Sequence, residues 1–216
     1  MTEMITEMIT EIFYPLLLSY GMAFLASAVL QGRWDAASVT SLTAVFTILA
    51  AGVCYRQECR KRKEERLKWW QEKPMPLWSW FALAAAGVLG NVVFSFLLSF
   101  LQLMLGLSNA VQEELLSGKS MWIQAAGLGI AVPVAEELIF RGLTYGNMRK
   151  YLGVWPSAVL GGALFAVYHG NVMQMLYAFP MGVVLCLVYE KCKTIKAPIV
   201  LHCAANLSTI LWRVIV

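Results

Sequence analysis

The chain has 216 residues, 59% of them hydrophobic and only 14% charged, with two histidines and a formal net charge of +4. Soluble domains average roughly 45–50% apolar and about 25% charged residues, so the composition excludes an ordinary soluble domain and implies a polytopic membrane protein. The positive charge is concentrated in one connector rather than spread over a basic face, which argues against nucleic acid as a partner.

The opening MTEMITEMITE is acidic where a secretory n-region would be basic, so no cleavable signal peptide is expected. Apolar runs long enough to cross ~30 Å of hydrocarbon as helices are predicted at 11–31, 37–55, 77–105, 120–150, 155–169, 172–190 and 196–216. The predicted fold class is therefore all-α, a polytopic transmembrane helix bundle of about seven spans, with six to eight compatible. The fifth run is short enough to be a tilted half-span. The brief Gln31–Asp35 link makes the first two spans an antiparallel hairpin. Residues 56–76 read as a solvated polar connector, with eight Lys or Arg and four Glu within 56–73, closed by Pro74 and Pro76. Trp69, Trp70, Trp78 and Trp80 suit an interfacial belt. Residues 106–119, with Glu113, Glu114 and Lys119, form a second polar link. No alternating runs indicate strands, and an open sheet cannot span lipid.

Orientation follows the basic groups. Arg149 with Lys150, and then Lys191, Lys193 and Lys196, fall at alternate crossings from 56–73, so all three face the cytoplasm if the N-terminus is inside. The expected localisation is the cell membrane, multi-pass, with the N-terminus and the 56–73 connector cytoplasmic. The five cysteines include no CxxC pair, which excludes zinc-ribbon and redox-motif readings. The chain divides into N-terminal transmembrane helices over 1–119 and a second helical core over 120–216.

The densest charge lies where lipid should be. Glu136, Glu137 and Arg141 occupy the middle of an apolar run, and an ionised side chain at bilayer depth costs roughly 2.5–3.5 kcal/mol on insertion scales. Glu137 and Arg141 are spaced i,i+4 with the acid first, the favourable order for an ion pair on one face. Glu136 points about 100° round the helix and lacks an intrahelical partner. An unpaired carboxylate in a low-dielectric pocket holds a proton more readily than in water, which suits a general base. Pro133, just upstream, loosens this helix and admits water.

Both histidines fall in spanning segments. His169 ends the fifth run, with Phe165 on the same face. His202 lies near the start of the last run, with Asn206 four residues on. Glu136 taking a proton from water, His169 orienting that water, and His202 with Asn206 donating to an oxyanion would make a hydrolytic site. In a straight seven-span drawing the two histidines are separated by roughly 10 Å along the membrane normal at ~1.5 Å rise per residue. Tilt, a break near Pro133 or Gly142, or a re-entrant fifth segment would close that gap.

These residues stand in three motifs. AEELIFRG (135–142) resembles the EExxxR motif of the CPBP intramembrane proteases, the CAAX-protease and bacteriocin-processing family also called Abi. FAVYH (165–169) resembles its FxxxH motif, and HCAAN (202–206) its HxxxN motif, in the same order. The resemblance covers about 120–210 and implies a glutamate-dependent or metallo-type intramembrane endopeptidase. Such an enzyme would act on a peptide or protein substrate at the lipid bilayer. It implies Glu136 and His169 as water activators, His202 and Asn206 at the oxyanion, and Glu137, Arg141 and Phe165 completing the site. If a metal is used, Glu136, His169 and His202 would be its ligands, for zinc or another divalent ion. The absence of HExxH favours a mechanism that requires no cofactor. Two other functions compete: a non-catalytic peptide-binding or bacteriocin-immunity protein using the same cavity, and a proton or cation translocator, which the absence of an inverted repeat weakens.

Overall fold

The computed structural model describes residues 2–30, 34–64, 74–106, 110–117 and 120–215. They form eight helices in chain order, with no strand among the described residues. These are α1 (Thr2–Leu30), α2 (Ala36–Glu64), α3 (Leu77–Leu105), α4 (Ala110–Leu116), α5 (Met121–Tyr151), α6 (Val154–Tyr168), α7 (Val172–Cys192) and α8 (Lys196–Ile215). Five of them, α1, α2, α3, α5 and α7, are long and apolar enough to cross a membrane. Helix α6 has 15 residues, about 22 Å at ~1.5 Å per residue, and is short of a full crossing. The protein is a polytopic helical bundle, as its composition requires.

Local chemistry sets the helix ends. Asp35 starts α2: one carboxylate oxygen accepts the Ser38 N–H and the other its hydroxyl, both at 2.9 Å. These bonds hold the Asp35 carboxyl below its ordinary range and satisfy donors a helix start leaves open. The Asn171 side chain caps α7 by accepting from the N–H groups of Met173 and Gln174. Between them α6 stops at His169, and Gly170, at φ +65°, takes the left-handed conformation that only glycine adopts cheaply. The chain therefore reverses within three residues and lays α7 back along α6.

Two sequence expectations change here. Helix α2 does not end near residue 55 but continues to Glu64, and its last turns enter the bundle: Glu58 is buried and Arg62 is fully buried. One face of the first part of the expected solvated connector is thus interior, because Lys150, Asn147 and Gly142 O of α5 pair with Glu58 and Arg62, while Arg56, Arg60, Lys61 and Lys63 stay exposed as expected. Trp69 and Trp70 lie outside the described residues. The 106–119 link contains the short helix α4, with Lys119 outside the described residues.

Helices α1 and α2 run antiparallel, with Glu11 and Tyr14 facing Cys54 and Glu58 across a small cleft. Helix α5 sits at the centre, packed by α1, α2, α6 and α8, while α3 packs on α8. The core nearest the motifs joins Leu138, Ile139, Phe140 and Leu143 of α5 to Phe165 and Ala166 of α6 and Ala178 of α7. A polar clamp ties α3, α7 and α8 together: Asn91 donates to Ser208 and Thr209 at 2.9 and 3.0 Å and accepts from the Tyr177 hydroxyl at 3.1 Å.

Candidate active site

Helix α5 is not regular. It contains two π-helical segments, Gln124–Ala131 and Glu137–Tyr145, separated by one α-turn, Val132–Glu136. Such i→i+5 segments are rare and concentrate at functional sites. Glu136 and Glu137 fall at the seam between the α-turn and the second π segment.

The backbone shows how each segment is tolerated. At the first exit the Val132 N–H donates to Gly127 O, five residues back, so it is not used on Leu128 O as a regular α-turn would require. The next residue, Pro133, has no N–H to offer. Asn206, on α8, donates its side-chain amide to Leu128 O at 3.1 Å. At the second exit the Gly146 N–H reaches back to Arg141 O, and Gly142 O instead receives the Arg62 guanidinium of α2 at 3.0 Å. Each π exit is therefore held by a side chain from another helix. Pro133 does not break α5, as its loosening effect alone would suggest; it leaves a carbonyl for Asn206.

The charged groups form one chain. Arg141 Nη1 donates to Glu137 Oε1 at 2.9 Å, and the same oxygen faces His202 Nδ1 at 2.7 Å. The guanidinium lies over the Phe165 ring, 4.2 Å from its centroid, in cation–π geometry. With Nδ1 committed to Glu137, His202 turns Nε2 towards Glu136 Oε2, 3.7 Å away. That separation is too long for a direct hydrogen bond, yet one oxygen at ~2.8 Å from both would fit. The two carboxylates differ in access: the Glu136 side chain is 13% exposed and that of Glu137 is 0%.

Phe165 organises the imidazoles. Its ring meets His169 and His202 edge-to-face at centroid distances of 4.8 and 5.9 Å. The two histidines, expected far apart in depth, thus both reach one aromatic ring. Because α6 is short and ends at Tyr168, His169 sits at its C-terminal end, against the same ring that His202 of α8 touches. His169 Nδ1 lies 2.8 Å from Phe165 O; with the proton there, Nε2 is the free acceptor. Beside it, Tyr168 shares a hydrogen bond with Ser19 of α1 at 3.0 Å and stacks its ring edge on Phe140.

All seven predicted residues thus converge on one region, but not in the simplest pattern. Asn206 uses an amide N–H on the α5 backbone. Among the described residues, no three His, Cys, Asp or Glu side chains come together as a metal-ligand set, so Glu136, His169 and His202 do not form a metal cage in this arrangement. The Glu137–His202 contact, 65 residues apart, had no sequence signal. Nor did Arg62, whose spacing from Glu58 nevertheless repeats the i,i+4 acid–arginine order of Glu137 and Arg141.

Residues 118–208 match the family model described as Type II CAAX prenyl endopeptidase, Rce1-like. This part of the chain is similar to the Rce1-like family. Among curated proteins, it is similar to the putative membrane peptidase YdiL of Bacillus subtilis, 26% identical over 96 residues, which are 42% of this chain and 39% of YdiL. It is also similar to the UPF0177 protein YbdI of Lactococcus lactis, 23% identical over 146 residues, 65% of this chain and 77% of YbdI. The chain matches well under half the length of YdiL. No solved structure matches at a comparable level of significance. The Rce1-like match contains all three motifs and neither Glu11, Glu58 nor Arg62.

Proposed function

We propose that this protein is an intramembrane endopeptidase that hydrolyses peptide bonds of a membrane-associated peptide or protein with water activated by Glu136 and His169. The observation that carries the reading is the gap between Glu136 Oε2 and His202 Nε2, 3.7 Å, flanked by His169 across the Phe165 ring. It is supported by the Rce1-like match over 118–208 and by the name of the Bacillus relative.

In this mechanism Glu136 is the base because it is the accessible carboxylate, while the fully buried Glu137 orients His202. Water donates a proton to Glu136 as its oxygen bonds the scissile carbonyl carbon, and the carbonyl electron pair moves onto oxygen. His169 Nε2 accepts a hydrogen bond from the same water and aims it. His202 in its imidazolium form donates from both nitrogens, through Nδ1 to Glu137 and through Nε2 to the oxyanion. The second N–H of the Asn206 amide is the further donor. Collapse of the tetrahedral intermediate breaks the C–N bond, and the leaving amine takes the proton from Glu136. No step uses a metal. The proposed orientation places the N-terminus and the basic 56–73 stretch in the cytoplasm, following the charge asymmetry of the loops.

The test is comparative peptidomics of membranes from cells producing the wild-type protein or Glu136→Gln. Gln keeps size and polarity but cannot take the proton. We expect cleavage products with the wild type only, at equal amounts of folded protein in detergent. Products that persist with Glu136→Gln would end the reading.

A further inference from the structure

Outside the motifs, α1, α2 and α5 share a closed ring of buried and half-buried polar groups. Pro15 sits inside α1 and has no N–H, so the Glu11 carbonyl four residues earlier loses its helical donor. Asn147, itself fully buried, donates its side-chain amide to Glu11 O at 2.7 Å. The Asn147 amide oxygen accepts from Arg62 Nη2 at 3.2 Å. Arg62 Nε then pairs with Glu58 at 3.2 Å, Lys150 with Glu58 at 2.8 Å, and Lys150 with Glu11 at 3.0 Å. The ring closes on the residue where it began. Tyr151 adds a hydroxyl to the Glu11 carboxylate at 3.1 Å.

One member reaches beyond the ring. The same Arg62 Nη2 donates to Gly142 O, the carbonyl left aside when the Gly146 N–H took Arg141 O. The guanidinium lies flat against Gly146: a Cβ there would overlap Arg62 Nη2 and stand 2.6 Å from its Cζ. Gly142 likewise admits the Tyr55 ring of α2, which a Cβ would approach to 2.8 Å. Helix α2 is thus seated on the glycine face of the π segment, with a planar cation fitted over its exit.

We propose that Arg62 is a positioning residue for the active site: it locks the π register of 137–145, and so sets the angle at which Glu137 meets His202 and Glu136 faces the substrate. Its role parallels that of Asn206 at the first π segment. Planarity is essential. A lysine keeps the charge but cannot donate at once to Glu58, Gly142 O and Asn147 from one plane. This inference rests on the peptidase reading for its kinetic effect, but not for its structural one.

Two variants test it, Arg62→Lys and Gly146→Ala; the second keeps every charge and displaces the guanidinium by one methyl. The readouts are kcat and KM on a cleaved peptide found by the peptidomics, and side-chain 15N NMR of histidine-labelled protein in detergent. With only two histidines, His202 and His169 are resolved as separate signals, assigned by His169→Gln. We expect kcat to fall at least tenfold with KM within twofold, and the His202 signal to move while that of His169 stays. A role confined to stability would lower the melting temperature and leave both the His202 signal and kcat unchanged, and that result overturns the proposal. So does a rise in KM alone. If Arg62→Lys does not fold, Gly146→Ala decides. If the wild type cleaves nothing, the peptidase reading fails while the His202 signal still judges the role of Arg62.

Discussion

Replacing Arg141 by Ala isolates what the buried ion pair contributes. Arg141 and Glu137 are both fully buried, and the arginine makes a 2.9 Å bond to the carboxylate while covering the Phe165 ring. Without the guanidinium, Glu137 keeps His202 on Oε1, but its Oε2 already has no partner among the described residues. Orphaning one member of a buried pair typically costs ~3–5 kcal/mol. At roughly 2–4 °C per kcal/mol for a chain of this length, the expected fall in melting temperature is about 6–20 °C. Thermal unfolding in detergent, followed by tryptophan fluorescence, reads it directly. The double variant Glu137→Gln with Arg141→Met should recover much of the lost stability, since it removes both charges and fills the space, yet remain inactive because His202 loses its anionic partner. An Arg141→Ala protein with wild-type stability and no turnover would refute the argument. Arg141 would then act on the reaction rather than hold Glu137.

Two further substitutions probe how the imidazoles are placed. Phe165→Leu fills most of the ring's volume, so it should cost well under the ~3–5 kcal/mol of a Phe→Ala change. It also removes the surface against which Arg141, His169 and His202 rest, so kcat should fall more than tenfold with only a small loss of melting temperature; wild-type kcat would show that the ring merely fills space. Gly162→Val tests the contact between α6 and α7, where a Cβ would stand 2.7 Å from Val183 Cγ2 and 3.0 Å from Phe179 O. Forcing these helices apart should displace His169 and lower both stability and turnover. Gly90→Val on α3, where a Cβ meets nothing within 4 Å, should change melting by no more than the ~0.5 kcal/mol of a neutral surface substitution. Equal behaviour of the two variants would refute the close-packing argument.

Much of the site was legible because it is local. The Glu137–Arg141 pair depends on residues one turn apart, and its order and spacing are readable in ELIFR. Phe165 and His169 share a face for the same reason, and the apolar runs announce the helices. The error at 56–64 has an equally plain origin. A dense run of Lys and Arg next to an apolar segment reads as solvated unless buried partners are known, and besides Glu58 one turn away those of Arg62 lie 80 and 85 residues away in sequence. The depth problem of His169 came from drawing α6 as a full span. Its early stop at Gly170 depends on a backbone conformation that a glycine permits but does not demand.

By itself, the amino-acid order determined a helical membrane bundle and the identity of the polar residues inside it. Lipid admits no unpaired backbone, and a charge at that depth must have a reason to be there. Tertiary structure alone decided the π register of α5, because each i→i+5 exit here receives a donor from another helix, Asn206 on Leu128 O and Arg62 on Gly142 O. It likewise decided that Glu137 holds His202, that Glu136 remains open, and that Arg62 belongs to the interior. Each of these follows from a side chain arriving from a distant helix, and no periodicity within a single segment encodes that arrival.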